Sequence, residues 1–355
     1  MEKRRDLNQF MKNPLFNGEY IVPFVFVLLS FIAWKLSGIS FFFVFNQVIT
    51  RFIRDGIMVL ALIIPITAGM GLNFAITVGA MATQGALILV INHHIDGYEG
   101  ILLTILLSIF FSIIFGYLIG KALNKVKGKE MITTIIIGFL ANSIYQLIFL
   151  VGFGTFIPVR NEEIILSRGI GVRNMVDLEA YRNTIDKLWL LKIGEIEIPL
   201  FMIFFVLLFG GAIYYILNTR FGQRLKAIGD SDEKARIIGI DVKGIRVKAM
   251  ILSTIIAALG QLVFLQNIGM INVYTGHLKA DIFSSAALLA GGASIRKAKI
   301  KHAFLGIFLF HTLFIVSPQA GQNLFNNAAL GEYFRSFVAY GTIAFALIMN
   351  MKNRD

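Results

Sequence analysis

Eight of the neutral polar side chains within the apolar runs of this 355-residue sequence are candidates for contact with a solute. They are Asn73, Thr77 and Gln84, then Asn142 and Gln146, then Gln261, Gln266 and Asn267. Asn142 and Gln146 are four apart and share a helix face, and Thr77 and Gln84, seven apart, do likewise. Amides and hydroxyls offer hydrogen bonds without charge. That suits brief contacts with an uncharged, hydroxyl-rich solute. The competing role is bonding between helices, worth about 0.6 kcal/mol per pair on average. Asn73 stands apart because it ends a glycine-rich junction, Ala68-Gly69-Met70-Gly71-Leu72-Asn73.

A second group lies in a charged loop, 218–246. Ala227-Ile228-Gly229-Asp230-Ser231-Asp232-Glu233 leads into Lys234-Ala235-Arg236-Ile237-Ile238-Gly239. Asp230 with Glu233 three residues on has the spacing of a capping box, with Asp in place of Ser or Thr. Gly239 suits the residue just past a helix end. Between them the spacing predicts a helix of about two turns, with Ala235 and Ile238 on one face. A short, capped, charged helix in a protein with no energy source of its own is what a docking site for a motor subunit requires. An ordinary solvated loop is the other reading.

The elements that carry these groups follow from composition. Hydrophobic residues make up 57% of the chain and charged residues 15%, against about 45–50% and about 25% in soluble domains. Apolar runs at 20–43, 56–70, 72–92, 101–120, 131–153, 198–217, 247–268, 281–293, 303–317 and 334–350 come close to the ~20 residues a helix needs to cross a bilayer. The expected fold is an all-α polytopic membrane protein of about ten transmembrane helices, with 20–350 as one permease domain. The first run is too long for a signal-peptide core, and a proline and large residues stand where a cleavage site would be. It reads as a retained span.

The net charge of +12 could indicate nucleic acid, but its distribution points elsewhere. The even-side segments, beginning with 1–19 and ending with 351–355, hold 22 of the 33 Lys and Arg, against 9 in the opposite loops. Six of those 9 are in the long segment 154–197, and long loops count for little in orientation. The bias places both termini and the loop 218–246 in the cytoplasm and removes nucleic acid as a partner. The segment 154–197 becomes an external insert. Within it, Asp177 is expected to cap an amphipathic helix reaching Leu191, with Leu178, Tyr181, Ile185 and Leu188 on one face.

Short apolar runs parted by glycine suggest a broken or re-entrant helix, which is tolerated only where protein or water surrounds it. The phrase around Gly69 to Asn73 is echoed by Gly269-Met270-Ile271-Asn272. Such paired interruptions suggest two weak inverted repeats.

Other chemistry is poorly supported. There is no cysteine, so no disulfide or thiolate metal site. His93, His94 and Asp96 share a short loop, but adjacent histidines there do not converge on one ion, and no metal site is expected. No phosphate-binding Gly-x-x-x-x-Gly-Lys-Ser/Thr occurs, so ATP chemistry would belong to a partner. An ion-coupled secondary transporter would usually need deep carboxylates, of which the runs offer almost none. A membrane enzyme would need a cluster of catalytic His, Asp or Glu.

Four stretches, spread over roughly residues 55–350, resemble the permease subunits of bacterial ABC importers that serve ribose and other simple sugars, nucleosides and branched-chain amino acids. They are 69–86, the loop from Ala227-Ile228-Gly229 to Gly239-Ile240, Asp281 with Ala286-Ala287-Leu288-Leu289-Ala290-Gly291-Gly292-Ala293-Ser294, and 303–313. The loop is the most specific match. Two departures concern the substrate. Arg296-Lys297-Ala298-Lys299 follows the glycine pair in place of further glycines, and Asn73-Phe74-Ala75 replaces the Asp-Leu-Ser usual in sugar members.

The resemblance implies a non-catalytic subunit of the bacterial cytoplasmic membrane. It would pair with a second permease, identical or homologous. A cytoplasmic ATP-binding subunit would hold ATP and magnesium, with no cofactor in this chain. An external or lipid-anchored binding protein would deliver a small polar solute, a simple sugar or nucleoside rather than an amino acid. By the same resemblance Gly229, Asp230, Ser231, Asp232, Glu233, Ala235, Arg236 and Gly239 couple to the ATPase. Asn73, Thr77, Gln84, Asn142, Gln146, Gln261 and Asn267 remain the pathway candidates.

Overall fold

The computed structural model describes residues 18–167, 169–182 and 188–352. The expected cytoplasmic ends, 1–19 and 351–355, fall largely outside these. Thirteen helices carry the argument: α1 (Gly18–Ser37), α2 (Phe41–Ala61), α3 (Ile63–Thr67), α4 (Ile76–Asn92), α5 (Gly97–Leu123), α6 (Glu130–Leu147), α7 (Leu200–Asn218), α8 (Arg220–Asp230), α9 (Asp232–Ile237), α10 (Val242–Ile268), α11 (Ala280–Ala290), α12 (Ile300–Phe325) and α13 (Ala328–Lys352). Six spans among the described residues are long and apolar enough to cross a membrane: Glu19–Ser37, Gly97–Leu123, Glu130–Gly152, Leu200–Asn218, Val242–Ile268 and Ile300–Phe325. Each of the ten expected runs coincides with at least part of a helix. The chain is an all-α polytopic membrane protein.

Two compact units share the chain. One holds α1, the first part of α2, most of α11, α12 and α13. There Phe52 stacks on Phe308 with ring centroids 5.1 Å apart. Asn323 donates from its amide to the Leu36 and Ser37 carbonyls, closing the end of α1. At the other end of α1, Glu19 meets Lys301 Nζ at 3.0 Å and His302 Nε2 at 3.1 Å.

The other unit holds α3 to α10 and positions the candidate site. Its centre is α10, buried along most of its length. Against it lies α5, whose buried Thr104, Ser108, Ser112, Gly116 and Gly120 recur every four residues. Small residues at that spacing let two backbones approach where lipid gives no hydrophobic drive. A Cβ on Gly116 would stand 2.6 Å from Ile251 Cα, so the seam admits no larger residue there. The opposite face of α5 exposes Leu102, Leu106, Phe110, Ile113 and Leu118, as a lipid-facing surface should.

The break expected at 68–73 is present. α3 stops after one turn, Gly69 and Gly71 adopt φ of +73° and +71°, and α4 starts at Ile76. Two readings are corrected. The segment 44–55, expected as a loop, is helical within α2. Of the helix expected over 177–191, Glu179–Arg182 is helical among the described residues, while 188–189 are a turn and Leu190 begins a strand. Asp177 Oδ1 does accept from Glu179 N at 2.9 Å. Leu190–Ile193 and Ile196–Pro199 instead form a two-stranded sheet around Gly194, at φ +59°. The alternation Ile196-Glu197-Ile198 and the glycine turn favour strand there, while residues 183–187, which include Ile185, lie outside the described residues.

The insert is tied into this unit. Met175–Asp177 pairs antiparallel with Met270–Asn272. The echoed phrases differ in local structure, since Met270–Asn272 is a strand whereas 70–73 is irregular. What they have in common is a glycine in the left-handed region, Gly69 at φ +73° and Gly269 at φ +76°, and an asparagine whose Oδ1 accepts from a nearby backbone N–H, of Ala75 two residues after Asn73 and of Thr275 three residues after Asn272.

Candidate functional site

A polar cluster forms where α4 and α6 meet the segment after α10. His277, fully buried, places Nδ1 2.8 Å from Gln84 Oε1 and Nε2 2.7 Å from Asn142 Oδ1. Tyr145 donates its hydroxyl to Gln84 Oε1 at 3.4 Å and stands edge-on to the His277 ring. Gln146 Nε2 donates to Asn142 Oδ1 at 3.4 Å. Gln261, from α10, donates to the Gly276 carbonyl at 3.4 Å and so fixes the backbone that carries His277.

A neutral imidazole has one donor and one acceptor nitrogen. It satisfies both neighbours when Nε2–H donates to Asn142 and Gln84 turns its NH₂ toward Nδ1, the Tyr145 hydroxyl then accepting from that NH₂ instead of donating. Among the described residues Gln84 Nε2 is a buried nitrogen with no other partner, which favours that orientation. The cluster is then a ring of uncharged donors and acceptors. Asn142 and Gln146 are only half-buried and lie on the side of α6 next to exposed Phe139 and Ser143.

The other sequence candidates lie apart from this ring. Asn73 closes the helix break: its Oδ1 accepts from Ala75 N at 3.0 Å and its Nδ2 donates to Ser253 Oγ at 3.5 Å. Thr77 donates to the Phe74 carbonyl. Gln266 donates to the Tyr181 carbonyl in the insert at 3.1 Å. Arg54 Nε donates to Asn267 Oδ1. His93 Nδ1 and His94 Nε2 each donate to a backbone carbonyl, of Leu89 and Arg160.

The charged loop folds as α8 and α9. The cap is Ser231, whose Oγ accepts from Lys234 N, and not Asp230, which is the last residue of α8. Both residues carry a capping oxygen, and a bend at Ser231 decides between them. Gly239 ends the helix at φ +82°, with its N–H on the Arg236 carbonyl and Ile240 N–H on the Ala235 carbonyl. Ala235 is 1% exposed, whereas Ile237 and Ile238 are 84% and 70% exposed. The expected shared face of Ala235 and Ile238 is therefore split: Ala235 anchors the helix and the isoleucines point away.

Two contacts join this loop to the spans. A Cβ on Gly229 would stand 2.3 Å from the Thr67 carbonyl oxygen, and one on Gly69 would stand 3.0 Å from Gly229 Cα. So α8 ends directly on the break that precedes α4. Asp232 Oδ2 lies 2.9 Å from Lys127 Nζ and 3.9 Å from nitrogens of Arg236 and Arg246. Arg246, with a side chain only 6% exposed, reaches Glu130 Oε1 at 2.6 Å. Removing one partner of such a buried pair typically costs about 3–5 kcal/mol.

Comparison with known proteins gives the family. The family described as branched-chain amino acid transport system / permease component matches residues 44–347. The chain belongs to this permease family. The autoinducer 2 import system permease protein LsrC of Yersinia pseudotuberculosis is 36% identical over 94 residues, 26% of each chain. The xylose transport system permease protein XylH of Escherichia coli is 27% identical over 128 residues, 36% of this chain and 32% of the relative. The matched stretches thus span about a quarter to a third of the curated relatives. No solved structure matches the chain.

In this permease the sequence reading missed His277 and Tyr145. His277 sits in the stretch 269–280, read as an external loop, and only the tertiary fold returns it to the spans. Gly276 was the available signal: a Cβ there would lie 2.7 Å from Gln84 Nε2. Lys127, Glu130 and Arg246 were missed as a group because each was read as a topology charge or a loop residue.

Proposed function

We propose that this chain is the membrane-spanning subunit of an ATP-driven importer for a small, uncharged, hydroxyl-rich solute, a simple sugar or nucleoside rather than an amino acid. The observation that carries the reading is a shared set of helices. α4, α6 and α10 bear Gln84, Asn142 and Gln261 along their length, and the loop 218–246 meets the break just before α4 at Gly69, the first residue of α6 at Glu130 and the opening turns of α10 at Arg246. From Glu130 to Asn142 is about 18 Å along the helix and from Arg246 to Gln261 about 22 Å. The loop end is the cytoplasmic side, both termini lie there, and the membrane is the bacterial cytoplasmic one.

The relatives' printed functions, import of autoinducer 2 and transport of xylose, favour a sugar-like solute. Half-buried Asn142 and Gln146 are costly against lipid, which favours a second permease, the same or homologous, across a shared pathway. Exposed Ile237 and Ile238 on a capped helix suit an ATP-binding subunit that holds the nucleotide and magnesium. An external or lipid-anchored binding protein would load the insert side. This chain itself performs no catalysis.

Proteoliposomes holding this chain alone should accumulate no solute under an imposed proton or sodium gradient. With the ATP-binding subunit and the binding protein present, ATP should drive uptake. Ion-driven uptake by the chain alone would overturn the importer reading in favour of a secondary transporter.

A further inference from the structure

α9 holds on to the rest of the protein at few points. Its N-cap and one buried side chain, Ala235, pack it in place, while its far end is exposed. What binds it sideways is charge. Asp232, at its first turn, faces Lys127 from the turn before α6, Arg236 from α9 itself and Arg246 from α10. Arg246 continues the chain of charges to Glu130, the first residue of α6. Arg246 sits in the opening turns of α10, where the helix dipole disfavours a cation. Two flanking carboxylates offset that, and its planar guanidinium can address both at once.

An importer's motor must push the loop and then pull it back. Apolar packing resists compression but separates with little directional resistance. An ion pair in a partly buried site resists separation, and salt screens it less than a surface pair. The Asp232 side chain is 14% exposed and that of Glu130 11%.

We infer that Lys127, Glu130 and Arg246 are positioning residues, forming with Asp232 a tension-bearing charge relay from α9 into α6 and α10. The contact at Gly69 and Gly229 carries compression into α4, and the relay carries the return stroke into the helices that hold Asn142 and Gln261. This rests on the reading of 218–246 as the ATPase-docking loop.

The test uses Glu130→Gln, which keeps shape and removes charge, and Lys127→Met, whose native side chain is 56% exposed. In proteoliposomes with the ATP-binding subunit and binding protein, both variants should assemble and hydrolyse ATP at the basal rate. Solute transported per ATP should fall about tenfold in Glu130→Gln and about threefold in Lys127→Met, while Lys127→Arg restores it. Wild-type transport per ATP in Lys127→Met overturns the relay, and this variant decides if Glu130→Gln fails to insert. A second readout needs no ATPase. Amide exchange over Asp232–Ile237 in the isolated chain in nanodiscs should rise in the charge-removing variants and not in Lys127→Arg, and unchanged exchange also overturns the relay. If wild-type complex takes up no solute on ATP, the importer reading fails by itself, and the exchange result still stands or falls on the ion pairs.

Discussion

His277→Leu should leave the protein inserted in the membrane and reduce ATP-driven uptake more than tenfold. Leucine fills much of the ring's volume but offers no nitrogen. Fully buried Gln84 loses its partner at Nδ1, and half-buried Asn142 loses its partner at Nε2. Each polar group orphaned in a buried site costs about 1–3 kcal/mol, more than the net worth of the bond that held it. The cluster should reorganise, with Tyr145 and Gln146 drawn toward the vacated amides. His277→Gln, which keeps a donor and an acceptor, should fall between leucine and wild type. Uptake rates paired with thermal unfolding of the purified chain separate the effect on transport from the effect on the fold. Wild-type uptake in His277→Leu would remove the cluster from the pathway.

Gly229→Val should be nearly as damaging at the other end of the same helices. Its Cβ would meet the Thr67 carbonyl oxygen at 2.3 Å, a contact that only backbone movement relieves. Overpacking a core side chain costs about 1–3 kcal/mol, and here the obstacle is main chain, which yields less. The end of α8 should lift away from the break before α4. Co-purification of the ATP-binding subunit should weaken, or hydrolysis should proceed without uptake. Gly211→Ala is the control, since nothing lies within 4 Å of its Cβ position, and it should behave as wild type. Normal coupling in Gly229→Val would refute the assignment of this loop.

What the residues alone made legible was whatever depends on short-range pattern. Every expected apolar run found at least part of a helix, and the glycine junction at 68–73 became a true break because Gly69 and Gly71 take backbone angles that other residues rarely adopt. Gln84, Asn142 and Gln146 were marked by being polar among apolar neighbours and did come together. His277 carried no such contrast, since its own neighbours Gly276 and Lys279 read as loop. The charges at Lys127, Glu130 and Arg246 were equally opaque: separated by up to 119 residues, they meet only through the packing of α6 against α10's neighbours. The insert misled because Leu178, Tyr181 and Leu188 fit a helical spacing while Gly194 and the alternation at 196–198 favoured a strand turn.

Because the chain has no cysteine, one introduced thiol can report whether the loop governs the cluster. Gln146→Cys places it on the half-buried edge of the polar ring. The measurement is its reaction rate with a small water-soluble thiol reagent, in the assembled transporter, with and without a non-hydrolysable ATP analogue. If the ATPase acts on the cluster through α4, α6 and α10, the rate should change by about threefold or more between the two states. The Glu130→Gln background should abolish most of that change. An equal rate in both nucleotide states, in a complex that transports, would contradict the coupling of this loop to this cluster.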